Sequence, residues 1–174
     1  EYLDATVGGS SKQVRAGEVI VMAGGSEAAF ARARPLIDSF ARAAFHLGPW
    51  GSGARMKLVL NMVLGLHRAV LAEALSFAET IGVDPSQALD ILKASPAYSV
   101  VMDVKGQKML TRNYTPHARL SQHLKDVRLM LSAGVRSGAR LPFTGLHEAL
   151  LEEVMNAGFA DVDNSAILEA FLRR

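Results

Sequence analysis

The chain has 174 residues, 49% hydrophobic and 21% charged, enough for one domain or one and a part. Lysine plus arginine number 19 against 17 acids, a formal net charge of +2 with the cations scattered and aromatics few, which argues against a nucleic-acid partner even at a sequence pI of about 9.1. The absence of cysteine excludes disulfides, thiolate metal sites and thiol nucleophiles, and fits a reducing, cytoplasmic compartment.

Glu1-Tyr2-Leu3-Asp4 has neither the charged n-region nor the apolar h-region of a signal peptide. The chain has no initiator methionine and opens on strand-like sequence, so a truncated or excised piece of a longer protein is expected. EYLDATV alternates and breaks at Gly8-Gly9, and EVIVMAGG, Glu18 to Gly25, is β-branched and stops at a double glycine; both read as short strands. The turn between them, DATVGGSSK, is either a plain hairpin or a set of backbone amides able to hold a carboxylate. Ser26 caps a helix that reaches Phe40, and AAFHLG reads as one more strand. Fewer than two βα units are present, so residues 1–50 read as the tail of an α/β domain.

From Gly51 the apolar spacing is helical. A helix from about Gly53 to Ile81 would be ~43 Å long at 1.5 Å per residue. Its longest apolar run, Leu58 to Leu66, is broken by Asn61 and bounded by Lys57 and Arg68. Since a span needs roughly 20 apolar residues, a core helix covered on most sides is expected, with no membrane partner. Gly82 ends it, and Asp84-Pro85 caps a helix to Lys93. Tyr98 to Leu110 reads as short helical pieces. Leu120 to Ser137 is amphipathic through Leu120, Leu124, Val127, Leu129, Leu131 and Val135. Leu141-Pro142 opens a helix to Ala157, and Ser165 caps a last one to Arg174. The fold class is mainly α, with residues 51–174 as an all-helical domain preceded by the end of an α/β one.

Lys57 and Asn61 stand four residues apart, one turn along the same helix face, amid apolar neighbours. Two readings remain open on spacing alone. One is a snorkelling lysine with its asparagine bonded to backbone. The other is a desolvated lysine serving as an acid–base, with Asn61 orienting a substrate. GPWGSG, Gly48 to Gly53, is better read as a hinge than as a phosphate cradle, since no P-loop Lys-Ser/Thr follows. Lys125-Asp126 reads as a solvated pair. The five histidines lack metal-ligand spacing, so no metal site is assigned.

Taken in order, YLDATVGGSS, GEVIVMAGG, HLGPWGSGARMKLVLNMVLG, AEALSFAETIGVDP, HLKDVRLML and the final LPFTGLHEALLEEVMNAGFADVDNSAILE resemble the β-hydroxyacid dehydrogenase family, which includes 3-hydroxyisobutyrate dehydrogenases, tartronate semialdehyde reductases and glyoxylate/succinic semialdehyde reductases. The resemblance covers essentially the whole chain, and Gly-x-Gly-x-x-x-Lys-x-x-x-Asn, Gly51 to Asn61, is its most specific part. It implies the end of a Rossmann domain, a long interdomain helix and a helical domain that forms a homodimer or homotetramer. It implies hydride transfer between NAD or NADP and a small, carboxylate-bearing 3-hydroxy acid or semialdehyde. The pyrophosphate-binding G-x-G-x-x-G of that family is not on this chain, so the piece alone is expected to be inactive.

By the same resemblance Lys57 matches the catalytic lysine and Asn61 the substrate-orienting asparagine. Lys125 matches a lysine near the nicotinamide end of the cofactor, and Gly8, Gly9 and Ser10 fall on the substrate loop. Thr6 stands where the family has proline, and Gly8 where it has a serine whose hydroxyl helps hold the substrate carboxylate. Ser10 offers a displaced hydroxyl, and Ala118 stands where several members carry an aromatic. These departures leave room for a larger or less acidic substrate. Two rivals stand beside this reading: a non-catalytic helical dimerisation or interaction module of the same fold, and an imine or other reductase with an altered substrate. Retention of Lys57 weighs against both.

Overall fold

A computed structural model of the chain describes residues 2–172. The chain divides into two compact units, Glu1–Asn61 and Met62–Arg174. In the first, β1 (Asp4–Gly8), the short α1 (Ser11–Arg15), β2 (Val19–Gly24), α2 (Glu27–Asp38) and β3 (Ala41–His46) precede the start of α3 (Ser52–Thr80). The sheet order is β1-β2-β3. β1 runs antiparallel to β2, with Val7 opposite Val21 and Gly8 opposite Ile20. β3 runs parallel to β2, and α2 makes the crossover that parallel strands require. As the central strand, β2 is almost wholly apolar, and Val19, Val21, Met22 and Ala23 are buried. Ser26 caps α2 as expected, its hydroxyl accepting from the Ala29 amide at 3.1 Å. The link between β1 and β2 is a helical turn, not a bare hairpin.

α3 continues without interruption into the second unit. It is not covered on most sides, contrary to the sequence expectation. Gly65, Arg68, Ala69, Leu71, Ala72, Leu75 and Ala78 form one buried face at helical spacing, while Val59, Val63, Val70 and Phe77 are exposed. By length and composition alone α3 could cross a membrane, and a third of its most apolar window is buried in this fold. Apolar sequence on a helix says how much can be buried, not how much its neighbours cover.

The second unit adds α4 (Pro85–Ala94), α5 (Val100–Thr111), α6 (Leu120–Ser137) and α7 (Pro142–Val154). A π-turn at Met155–Phe159, kinked at Gly158 with φ 97°, leads on to a 3₁₀ helix at Asn164–Ala170. Gly82 takes φ 83° at the end of α3, and the Asp84 carboxylate caps α4 through the Ser86 and Gln87 amides at 2.7 and 3.3 Å. α5 is one helix, not the short pieces expected, because Val101, Met102, Lys105, Gly106 and Met109 make a continuous buried stripe. α6 has the expected bounds but a different inner face. His123 and Met130 join Leu120, Leu124 and Val127 inside, while Leu129 and Val135 fall off that stripe and are exposed. The last cap is Asp163, not Ser165, and the described part of the expected final helix is 3₁₀. The rest of that expected helix, residues 173–174, lies outside the described residues.

Asp163 is the polar centre of the helical unit. Its fully buried carboxylate accepts both bonds from the Lys105 ammonium, at 2.8 and 2.9 Å, and further bonds from the His117 and Ala118 amides at 2.8 and 3.3 Å. The Ser165 amide and hydroxyl add two more at 3.1 and 2.8 Å. Burial acts to raise its pKa, but these donors outweigh it and hold the carboxyl far below the usual range.

Candidate active site

The sequence-predicted residues of the first unit gather where the C-terminal end of β1 meets the first turns of α3. Asp4, at the start of β1, lays its carboxylate across the N-terminus of α3: Oδ1 accepts from the Gly51 amide at 2.9 Å and Oδ2 from the Ala54 amide at 2.7 Å. Slight burial acts to raise its pKa, but those amides and others of the turn outweigh it and keep the carboxyl below its ordinary value. This answers the question raised by GPWGSG. Two amides that could have cradled a phosphate are already bound to Asp4, and Gly48 and Gly51 serve the turn with φ 96° and 92°.

Two residues along, Thr6 Oγ1 donates to Gly53 O at 3.0 Å and lies 3.3 Å from Met22 O. A proline at position 6 has no such donor. One residue further, Lys57 Nζ donates to Val7 O at 2.7 Å. The lysine therefore reaches back across the strand to the edge of the Gly8–Gly9–Ser10 turn, some 50 residues away in sequence. Asn61, half-buried, follows one turn later on α3.

The turn itself is committed in part. Ser10 is the N-cap of α1, accepting from the Gln13 amide while Gln13 Oε1 accepts from the Ser10 amide at 2.9 Å and from its hydroxyl at 3.1 Å. A displaced substrate contact from Ser10 would have to draw its hydroxyl from this box. Gly8 has no space for a side chain, since a Cβ there would meet Ile20 Cγ1 at 2.8 Å and Leu60 Cδ2 at 2.9 Å. The apolar wall formed by Ile20 and Leu60 was not anticipated from sequence, nor was the cap by Asp4. Both depend on contacts between distant segments and leave no local signal. Lys125 is placed in the second unit, on α6, exposed and 3.2 Å from Asp126. Its assignment to the cofactor rests on the resemblance.

Among the described residues the glycine turn that opens a long helix spends its amides on Asp4, so a dinucleotide pyrophosphate is not assigned to it. What the first unit offers is an ammonium held at the C-terminal end of β1 beside a glycine turn, with Asn61 one helical turn further along α3.

Residues 51–171 match the family model described as "NAD-binding of NADP-dependent 3-hydroxyisobutyrate dehydrogenase", and residues 1–48 match the "NAD binding domain of 6-phosphogluconate dehydrogenase". Glyoxylate/succinic semialdehyde reductase 1 of Arabidopsis thaliana is 31% identical over 97% of this chain and 58% of its own length. The 2-hydroxy-3-oxopropionate reductase of Escherichia coli K12 is 31% identical over 98% and 58%. A crystal structure of 3-hydroxyisobutyrate dehydrogenase from Salmonella typhimurium superposes with a TM-score of 0.90 at 28% identity, over 96% of this chain and 59% of that one. The chain thus spans somewhat more than half the length of these relatives. With both family models matched in order along its length, this chain belongs to the β-hydroxyacid dehydrogenase family of 3-hydroxyisobutyrate dehydrogenase type.

Proposed function

We propose that the protein takes part in the NAD(P)-dependent interconversion of a small 3-hydroxy acid and its semialdehyde, with Lys57 as the acid–base. The observation that carries this reading is the 2.7 Å bond from Lys57 Nζ to Val7 O, which holds the amine beside the Gly8–Ser10 turn. When bound, the nicotinamide accepts or supplies the hydride. The residues of this chain handle the rest. Lys57 takes the hydroxyl proton as the carbon is oxidised and returns one to the carbonyl oxygen during reduction. Val7 O, accepting one ammonium hydrogen, orients the amine at the edge of the turn. Asn61 holds the substrate one helical turn away, and the Gly8–Gly9–Ser10 turn receives its carboxylate. Lys125 is assigned to the nicotinamide end of the cofactor.

The relatives named as semialdehyde and oxopropionate reductases support a small oxo-acid substrate. The apolar wall over Gly8 supports one with an apolar substituent where the family serine would otherwise reach. We further propose that the protein is a cytoplasmic homodimer or homotetramer formed through the helical unit, whose exposed Phe77, Phe143 and Leu146 favour a partner surface.

The test is a spectrophotometric assay of the full-length gene product with NAD and with NADP against a panel of 3-hydroxy acids and semialdehydes. Lys57→Ala is expected to lower kcat by about 10²- to 10⁴-fold, the usual worth of a positioned acid–base. An unchanged kcat in that variant for every substrate turned over would remove Lys57 from the chemistry.

A further inference from the structure

We propose that Asp4 is a positioning residue for Lys57: by binding the first turn of α3 to β1, it sets where the lysine ammonium stands over the Gly8–Ser10 turn. The inference rests on the acid–base reading of Lys57 and extends it to a residue at the opposite end of the strand.

Four contacts carry it, spread along β1 from Asp4 to Val7 and along the helix start from Gly51 to Lys57. Asp4 Oδ1 and Oδ2 hold the Gly51 and Ala54 amides, Thr6 Oγ1 holds Gly53 O, and Lys57 Nζ holds Val7 O. The first of them falls on Gly51, just before α3, and the last on Lys57, in its second turn. The strand and the helix are laced together residue by residue, and the lysine is the last stitch. Asp4 supplies the cap of α3 from another element, and its negative charge also sits at the positive end of the α3 dipole.

The fit is close. A Cβ on Gly53 would fall under 3.0 Å from Met22 O, Asp4 O and Asp4 Oδ2. A Cβ on Gly24 would do the same to Asp4 Oδ1, Pro49 O and Ser52 N. Two glycines from separate segments thus leave the space that the Asp4 carboxylate fills. Such a fit fixes the axial position and rotation of the first helical turn. Lys57 lies one turn beyond Gly53, so any slide or rotation of that turn moves Nζ relative to Val7 O and to a substrate held at the turn. Proton transfer tolerates little of this, as a misplacement of about 1 Å can cost about 10²-fold in rate.

The experiment is a double-mutant cycle in the full-length gene product, assayed well below each variant's melting temperature. Asp4→Ala is expected to lower kcat by about 10- to 100-fold while the KM for NAD(P) stays unchanged. Asp4→Asn, which keeps one acceptor oxygen, should fall between it and the parent. Thr6→Val, which removes the hydroxyl's bonds to Gly53 O and Met22 O but leaves the Asp4 cap, should move kcat in the same direction by less. On a Lys57→Ala background the Asp4→Ala effect should vanish, because it is transmitted through the amine. A readout independent of turnover is the side-chain NMR resonance of Lys57 in lysine-labelled protein. It should shift in Asp4→Asn and stay in place in Asp38→Ala, whose carboxylate pairs with Arg34 on exposed α2.

An Asp4→Ala variant that loses thermal stability but keeps kcat and the Lys57 resonance would reduce Asp4 to a helix cap and overturn the inference. An undiminished Asp4→Ala effect on the Lys57→Ala background would overturn it too. Should Asp4→Ala fail to fold, Asp4→Asn and Thr6→Val carry the same comparisons. The two readings separate cleanly: Lys57→Ala with kcat intact overturns the acid–base reading, whereas an inactive Lys57→Ala beside an Asp4→Ala of parental kcat overturns only the positioning role.

Discussion

Gly8 and Gly53 are both crowded, but by different neighbours, and the difference decides what a methyl group does at each. At Gly53 the obstacles are two backbone carbonyls and the Asp4 carboxylate, which move only if α3 separates from β1 and β2. At Gly8 they are the Ile20 and Leu60 side chains, of which the Leu60 tip can rotate aside. Gly53→Ala is therefore expected to destabilise the protein by about 3 kcal/mol and Gly8→Ala by about 1 kcal/mol. Urea denaturation midpoints at constant m-value measure both. Equal losses would show that the spacing of β1 and α3 adapts more easily than the Asp4 contacts imply. The same Leu60 makes Gly8→Ser a poor route back to the family's serine unless Leu60 is shortened as well.

Between elements, the feature with the largest pH consequence is the meeting of α6 and α7 with α3. His123 and His147 are buried with ring centroids 5.1 Å apart, against Gly65, where even a Cβ would collide with both rings. Among the described residues the Nε2 atoms of both are buried without a hydrogen-bond partner. Burial, and then the nearby Arg68 charge, push His147 down to about 4. Burial, Arg68, His147 and Lys105 push His123 down to about 2. Both folded-state values lie below the unfolded value near 6.5, so the unfolded chain binds protons first. Stability is therefore fully present above about pH 6.5 and falls as the pH drops from there towards 4, by about 1.4 kcal/mol per pH unit for each imidazole. Chemical denaturation at pH 7.5 and pH 5 measures the fall, and His147→Gln should remove one imidazole's share of the slope. Asp163 adds a second acid-side loss at lower pH. Its carboxyl is depressed, so its contribution holds above the ordinary carboxylate range and fades as the pH falls below it.

At the scale of the whole molecule, the helical unit is tied by an ion pair that no sequence pattern announces. Lys105 and Asp163 are 58 residues apart, and breaking such a buried pair by removing one partner typically costs about 3–5 kcal/mol. The proposed self-association belongs to this scale too. Exposed Val70 and Phe77 on α3 and exposed Phe143 and Leu146 on α7 lie in that unit. Light scattering of the full-length gene product should give at least twice the monomer mass, and Phe77→Lys combined with Phe143→Lys should lower it. A monomer in the parent protein would leave those residues as ordinary surface.

Apart from the short α1, the order of strands and helices was legible from residue spacing, glycine stops and caps, because these are local properties of the chain. The bounds of α6, the Ser26 and Asp84 caps and the Gly82 stop all follow from residues within a few positions of each other. The resemblance carried by Gly51 to Asn61 and its flanking segments located Lys57 and Asn61 within the family pattern. What spacing could not decide was which apolar faces are covered, since that depends on neighbours that come from elsewhere in the chain. Leu129 and Val135 of α6 lie outside while His123 lies inside, and α3 keeps an exposed apolar stripe. Nor could spacing show that Asp4 reaches across some 50 residues to cap α3, or that Lys57 returns the contact to Val7. A hydrogen bond of under 3 Å between such distant segments exists only once both backbones are fixed in space, and that is the work of the tertiary structure.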